Sequence, residues 1–199
     1  MDYKCGFKKD QQDFLLPPIC TAFTEDAESG APGWTFEGAW AIQNTSAHGG
    51  TMGFTDSPDG DYGSNQNLAL ISPTLDLSTD SNIQLTFWHH YVLESSWDYG
   101  YVEYSLDGAT NWTELARFTG TQIGWKRETL DLSALDGTTT GQVRFRLNTD
   151  NNTDEDGWYL DDIELITANG DCAPLTLARL LTNWPEQYNV SDLVAFLTM

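Results

Sequence analysis

Residues 84–112 read QLTFWHHYVLESSWDYGYVEYSLDGATNW. Two runs of alternating large apolar and aromatic residues flank a short acidic loop, and the second run ends at Asp107-Gly108, where Gly supplies the positive φ of a tight turn. By the period of two, Ile83, Leu85, Phe87, His89 and Tyr91 share one face, and Gln84, Thr86, Trp88, His90 and Val92 the other. The first set predicts core. In the second run Val102, Tyr104 and Leu106 share a face opposite Tyr101, Glu103 and Ser105. Two neighbouring half-buried strands follow.

Similar short alternating runs recur on both sides. Upstream are Trp34, Phe36 and Trp40 on even positions, a short run at 51–55, and 67–71 stopped by Pro73. Downstream are 112–118, 124–132, 142–147 and 157–166, separated by Gly, Asp and Asn turns. About nine or ten such strands, with no helical period between them, predict an all-β protein: a two-sheet antiparallel jelly-roll sandwich. Residues 1–20, with Pro17-Pro18 and no period, are expected to be a leader or linker, and 21–167 the jelly-roll domain. In 168–199, LTLARLLTN and VSDLVAFL carry helical spacing and predict a short C-terminal helical appendage.

Composition narrows the function. The 199-residue chain has a formal net charge of −21, an acidity that repels nucleic-acid phosphates and anionic lipid. No nucleic-acid or membrane partner is expected, and no apolar run is long enough to span a bilayer. Cys5, Cys20 and Cys172 include no CxxC pair, so zinc knuckles and thioredoxin-like chemistry are unsupported. A Cys20–Cys172 disulfide would clamp the first strand to the last and point to an oxidising compartment; Cys5–Cys20 and free thiols are the alternatives.

No catalytic constellation stands out. His89 and His90 point to opposite faces, no HExxH helix or GxSxG elbow is present, and the chain is expected not to be an enzyme. Carboxylates are the conspicuous chemistry, grouped at Glu25-Asp26-Ala27-Glu28, Asp56 to Asp61, Asp98 and Asp161-Asp162. Asp161 falls among apolar neighbours if Tyr159, Ile163 and Leu165 share its face. A buried carboxylate needs a cation, an arginine or several N–H donors. Ca²⁺, which takes about six to eight oxygens, is the expected cofactor. Among the eight tryptophans, Trp88 lies opposite the core face and Trp97 beside Asp98. With Tyr99 they are the candidates for stacking on a ligand.

In this order, FTEDAESGAPGWT, DSPDGDYGSNQNLALISPTLDLS, the 84–112 hairpin, GWKRETLDLS and VRFRLNTDNNTDEDGWYLDDIEL carry a family resemblance. Together they resemble the MAM-like jelly-roll modules that follow the catalytic domain in secreted bacterial metallopeptidases of the immune-inhibitor-A type, relatives of the cleaved-adhesin modules of gingipain-like proteases. The match covers residues 21–167. It implies a non-catalytic, calcium-stabilised adhesion or substrate-binding accessory module, secreted or at the cell surface. Its expected partners are a protein or polysaccharide surface, or an adjacent catalytic domain. The implied metal residues are Asp161, Glu28 and Asp98, with Asp26 and Asp162 beside them; Ala27 stands where the family has an aromatic, so Asp26 and Glu28 both stay in play. A carbohydrate-binding module and a structural spacer are the other readings.

Overall fold

The structure is a computed structural model and describes residues 20–168 and 171–172. The expected leader and the helical appendage fall on residues outside these. Residues Cys20–Cys172 form one compact unit.

Twelve strands follow one another among the described residues: β1 Cys20–Glu25, β2 Thr35–Phe36, β3 Ala41–Gln43, β4 Gly53–Thr55, β5 Asn67–Ile71, β6 Gln84–Val92, β7 Tyr99–Ser105, β8 Thr113–Phe118, β9 Thr121–Asp131, β10 Gln142–Asn148, β11 Gly157–Thr167 and β12 Asp171–Cys172. A single 3₁₀ turn, Ser133–Leu135, interrupts them. All pairings are antiparallel, in two sheets.

β11 is the axis of the seven-stranded sheet. Along one side it pairs with β6, which pairs in turn with β9. On its other side β4 lies against its first half and β1 against its second. The five-stranded sheet runs β2-β5-β10-β7-β8. Between the sheets lie Phe54, Leu70, Leu85, Phe87, Val102, Phe145, Trp158, Leu160, Ile163 and Leu165, all fully buried. Burying such side chains from water contributes about 1.5–3 kcal/mol each and drives the two sheets together. Gly100 lets them approach: a Cβ there would sit 2.6 Å from the Trp158 ring.

The alternation read from β6 is present, with Leu85, Phe87 and His89 buried inside and Trp88 and His90 half-buried on the outer face. Leu106 differs. It shares a face with Val102 and Tyr104 in the alternation but is 51% exposed, because β7 ends at Ser105 and Leu106 begins the turn. The run from Trp34 to Trp40 is broken in two by a left-handed Gly38 at φ +58°. Cys20 is disulfide-bonded and stands opposite Cys172 in the β1–β12 ladder.

Candidate functional site

Asp161 lies in the middle of β11, where the register to β6 slips between Asp161 and Glu164. Asp162 occupies the left-handed region at φ +46° and makes the bulge. That one residue resets the alternation. Ile163 and Leu165 point into the core, and Asp161 faces outward with Tyr159. The sequence-based placement of all four on one face is thereby corrected.

Asp161 is nevertheless fully buried, because the loop between β3 and β4 folds over it. Its Oδ2 accepts the N–H groups of His48 and Gly49 at 2.7 and 3.0 Å, and its Oδ1 accepts the Asp162 N–H at 2.7 Å. Burial still pushes its carboxyl up to about 6. Beside it, Asp162 Oδ2 lies 2.6 Å from His48 Nδ1, and the His48 ring stacks on Trp88 at 3.8 Å.

Glu28 reaches the far end of the same loop. Its Oε1 accepts the Thr51 and Met52 N–H groups at 2.5 and 2.6 Å, and its Oε2 accepts the Thr51 hydroxyl at 3.1 Å. Those bonds hold its carboxyl below the usual carboxylate range. Residues 48–52 are thus pinned by three of the sequence candidates, Asp161, Asp162 and Glu28. Exposed Asp26 turns back to accept the Glu28 N–H at 3.1 Å.

Asp98 belongs to a second centre. Asn148 pairs with Tyr99 across β10 and β7, and this register sets the residues just beyond each strand side by side. Asp98, Asp150 and Glu94 there bring carboxylate oxygens within 4.8 Å of one another, a group that could hold a metal ion. Asp98 is fully buried, its Oδ2 accepting the Tyr62 hydroxyl at 2.7 Å and its Oδ1 the Asp150 N–H at 2.8 Å. Glu94 Oε2 is buried and accepts no hydrogen bond among the described residues. Loss of solvent, then the charges of Asp150, Asp98 and Glu155, raise the Glu94 carboxyl. Sequence reading missed Glu94 and Asp150, since their meeting depends on a pairing some fifty positions long; two acidic loops flanking one ladder were the available signal.

Trp88, Trp97 and Tyr99 do not form one platform. Trp88 is stacked under His48 on the seven-stranded sheet, and Trp97 is 64% exposed in the loop after β6. Tyr99 sits on the outer face of the five-stranded sheet, 5.8 Å from Tyr101. That face also holds two arginines nothing in the sequence had singled out as functional. Arg146 lies 4.3 Å over the Tyr101 ring and Arg144 4.3 Å over Trp112, both bonded to Glu103.

No family model matches this sequence. Over 167 residues, 78% of the chain, it is 31% identical to Bacillopeptidase F of Bacillus subtilis, of which it spans only 11%. In three dimensions it resembles the K1 cleaved adhesin domain of Lys-gingipain from Porphyromonas gingivalis, with 25% identity, a TM-score of 0.56, and coverage of 74% of this chain and 98% of that one. A xylan-binding CBM22 domain from Paenibacillus barcinonensis has the same fold at 15% identity and a TM-score of 0.52, covering 77% of this chain and 97% of that domain. Among the described residues no helix is long and apolar enough to cross a membrane.

Proposed function

We propose that this chain, a jelly roll of the cleaved-adhesin type, is a non-catalytic accessory module of a larger secreted peptidase that docks it on a protein or polysaccharide surface. The observation that carries this reading is the pair of coverages: nearly the whole of one cleaved adhesin domain of Lys-gingipain, but about a tenth of Bacillopeptidase F. A segment with its own core inside a much longer chain is what an appended module looks like. Residues 21–167 are the module in this reading, with 1–20 and 168–199 as its connections.

Ca²⁺ is the cofactor we assign, at Glu94, Asp98 and Asp150. The fit rests on Glu94 Oε2, a buried carboxylate oxygen with no donor, facing two further carboxylates. A divalent cation supplies what that oxygen lacks and would tie the loop after β6 to the loop after β10. At Asp161 and Glu28, by contrast, backbone N–H groups already meet the charge.

The full chain, immobilised and saturated with Ca²⁺, is expected to retain insoluble xylan, galactan or denatured collagen in a saturable way and to hydrolyse no peptide. Turnover of a peptide substrate by metal-replete protein would overturn the non-catalytic reading. Absence of retention on every polysaccharide and protein surface tried would overturn docking.

A further inference from the structure

The outer face of the five-stranded sheet departs from the charge pattern of the chain. Of the five Lys and Arg among the described residues, three stand on it: Arg117, Arg144 and Arg146. The whole chain carries a net charge of −21, yet here three guanidinium groups meet the carboxylates of Glu103 and Glu114. The arginines differ in what they have left to donate. Arg146 is fully committed: Nε and Nη2 bond Glu103 at 2.8 and 2.9 Å, and Nη1 bonds Asn67 Oδ1 at 3.0 Å. Arg144 donates through Nε alone, to Glu103 Oε2 at 2.7 Å. Its two Nη atoms meet no acceptor among the described residues and are not buried. Arg117 lies 3.7 Å from Glu114, and its side chain is 59% exposed.

Arg144 is also held in place. Its guanidinium lies 4.3 Å over the Trp112 ring while Glu103 fixes Nε, so the plane is set and the Nη edge is the part left open. Such a fork matches the two oxygens of a carboxylate. Across the strands Arg146 stands opposite Tyr101 and Tyr101 opposite Arg117, while Arg144, Glu103 and Glu114 form the next row on the same face. Strand spacing and rise place the Arg144 and Arg117 Cα atoms about 12 Å apart, with the Tyr101 row between them.

We propose that this face binds an acidic polysaccharide built from uronic acid units, the carboxylate of one sugar on the Nη edge of Arg144 and that of another at Arg117. The proposal rests on the docking reading above and names its ligand class. Two features select it over an acidic peptide. Half-buried Tyr99, Tyr101 and Trp112 lie among the guanidinium groups and suit the C–H faces of pyranose rings, which an acidic peptide lacks. A peptide that adds as a strand needs a free sheet edge, whereas β7 and β10 are paired on both sides. The acidity of the rest of the chain further favours carboxylates spaced one to a sugar over a denser run of charge.

The test is a heteronuclear NMR titration of the full chain, at one fixed Ca²⁺ concentration, with trigalacturonate, with its methyl ester as the uncharged comparison, and with a blocked triglutamate peptide. The expected result is saturable shifts at Arg144, Tyr101 and Trp112, with the acid at least about tenfold tighter than the ester, since a charge-assisted hydrogen bond contributes on that scale. Arg144→Gln should weaken the acid about tenfold. If that variant does not fold, Arg117→Gln, at an exposed side chain, should weaken it about two- to fivefold. Equal affinity for acid and ester, triglutamate binding as tightly as trigalacturonate, shifts confined to the Glu94 and Asp98 loop, or affinity unmoved by these variants overturns the proposal. Retention on neutral xylan, galactan or collagen would survive any of those results, so the docking reading fails or stands separately.

Discussion

The Tyr62 hydroxyl donates to Asp98 Oδ2 at 2.7 Å while accepting the Glu94 N–H at 3.0 Å. One phenol therefore fastens the loop after β4 to the loop after β6. Tyr62→Phe keeps the ring and removes both bonds, leaving a buried Asp98 oxygen without its donor. We expect a loss of about 1–3 kcal/mol, read as a lower urea midpoint at unchanged slope. An unchanged midpoint would show that water replaces the hydroxyl at no cost.

The acidic centre behind that phenol should respond to calcium. A ligand bound only by the native state raises the melting midpoint, so excess EDTA should lower it and added Ca²⁺ restore it. Glu94→Gln keeps the size of the side chain and removes one charge. It should abolish the calcium response and leave the EDTA melt near that of the parent. A calcium response that survives Glu94→Gln would move the ion elsewhere, with Asp161 and Glu28 the next positions to change.

Asp56 gives the domain a pH dependence of definite sign. Its folded carboxyl stands at about 7, against about 3.9 for an unperturbed aspartate. The native state therefore holds the proton more tightly, and the stability this provides is complete below about pH 4 and lost as pH rises through 7. Over three units the change is on the order of 4 kcal/mol. Asp161, raised to about 6, acts in the same direction. His89 opposes both: burial lowers it to about 4, so its contribution is lost as pH falls from 6.5 through 4. Comparing Asp56→Asn with the parent isolates the first term. The parent should be the more stable at pH 5, and the gap should close or reverse by pH 8. A gap independent of pH would mean that Asp56 is not protonated in the native protein.

Glu103 is 7% exposed on the outer face of the five-stranded sheet, and its oxygens accept from Arg144 Nε at 2.7 Å and from Arg146 Nε and Nη2 at 2.8 and 2.9 Å. Replacing it with Ala removes the acceptor shared by two half-buried guanidinium groups over the Trp112 and Tyr101 rings, and leaves Arg146 its bond to Asn67 Oδ1. A loss of roughly 2–3 kcal/mol is expected. Glu103→Gln, which can still accept one bond, should recover part of it. Equal losses in the two variants would assign the effect to packing.

Strand periodicity made the sandwich legible because both sheets bury one face, and a period of two survives in β6, β7 and β10 without knowledge of their partners. The site was less legible for two physical reasons. A single left-handed residue, Asp162, reverses the alternation in β11 while leaving no mark in composition, so Asp161 was assigned to the wrong face. Convergence of Asp98 with Glu94 and Asp150 depends on the β7–β10 register, which local pattern does not carry. Where the candidates did meet, at Asp161, Asp162 and Glu28, the target was the backbone of residues 48–52, whose Gly49-Gly50 pair was the available clue.

That pair yields a two-step prediction. Gly50 has φ +57°, and a Cβ there would lie 2.3 Å from Glu28 Oε1. Gly50→Ala thus imposes two penalties: the left-handed backbone, about 1–2 kcal/mol for a residue with a Cβ, and displacement of the carboxylate that holds the Thr51 and Met52 N–H groups. The two are separable. Glu28→Ala alone removes the anchor, so in its background Gly50→Ala should incur only the backbone penalty, and the double variant should be less destabilised than the sum of the singles. A sum that is strictly additive would mean that Glu28 gives way to the new methyl freely, and that residues 48–52 are held from the Asp161 side alone.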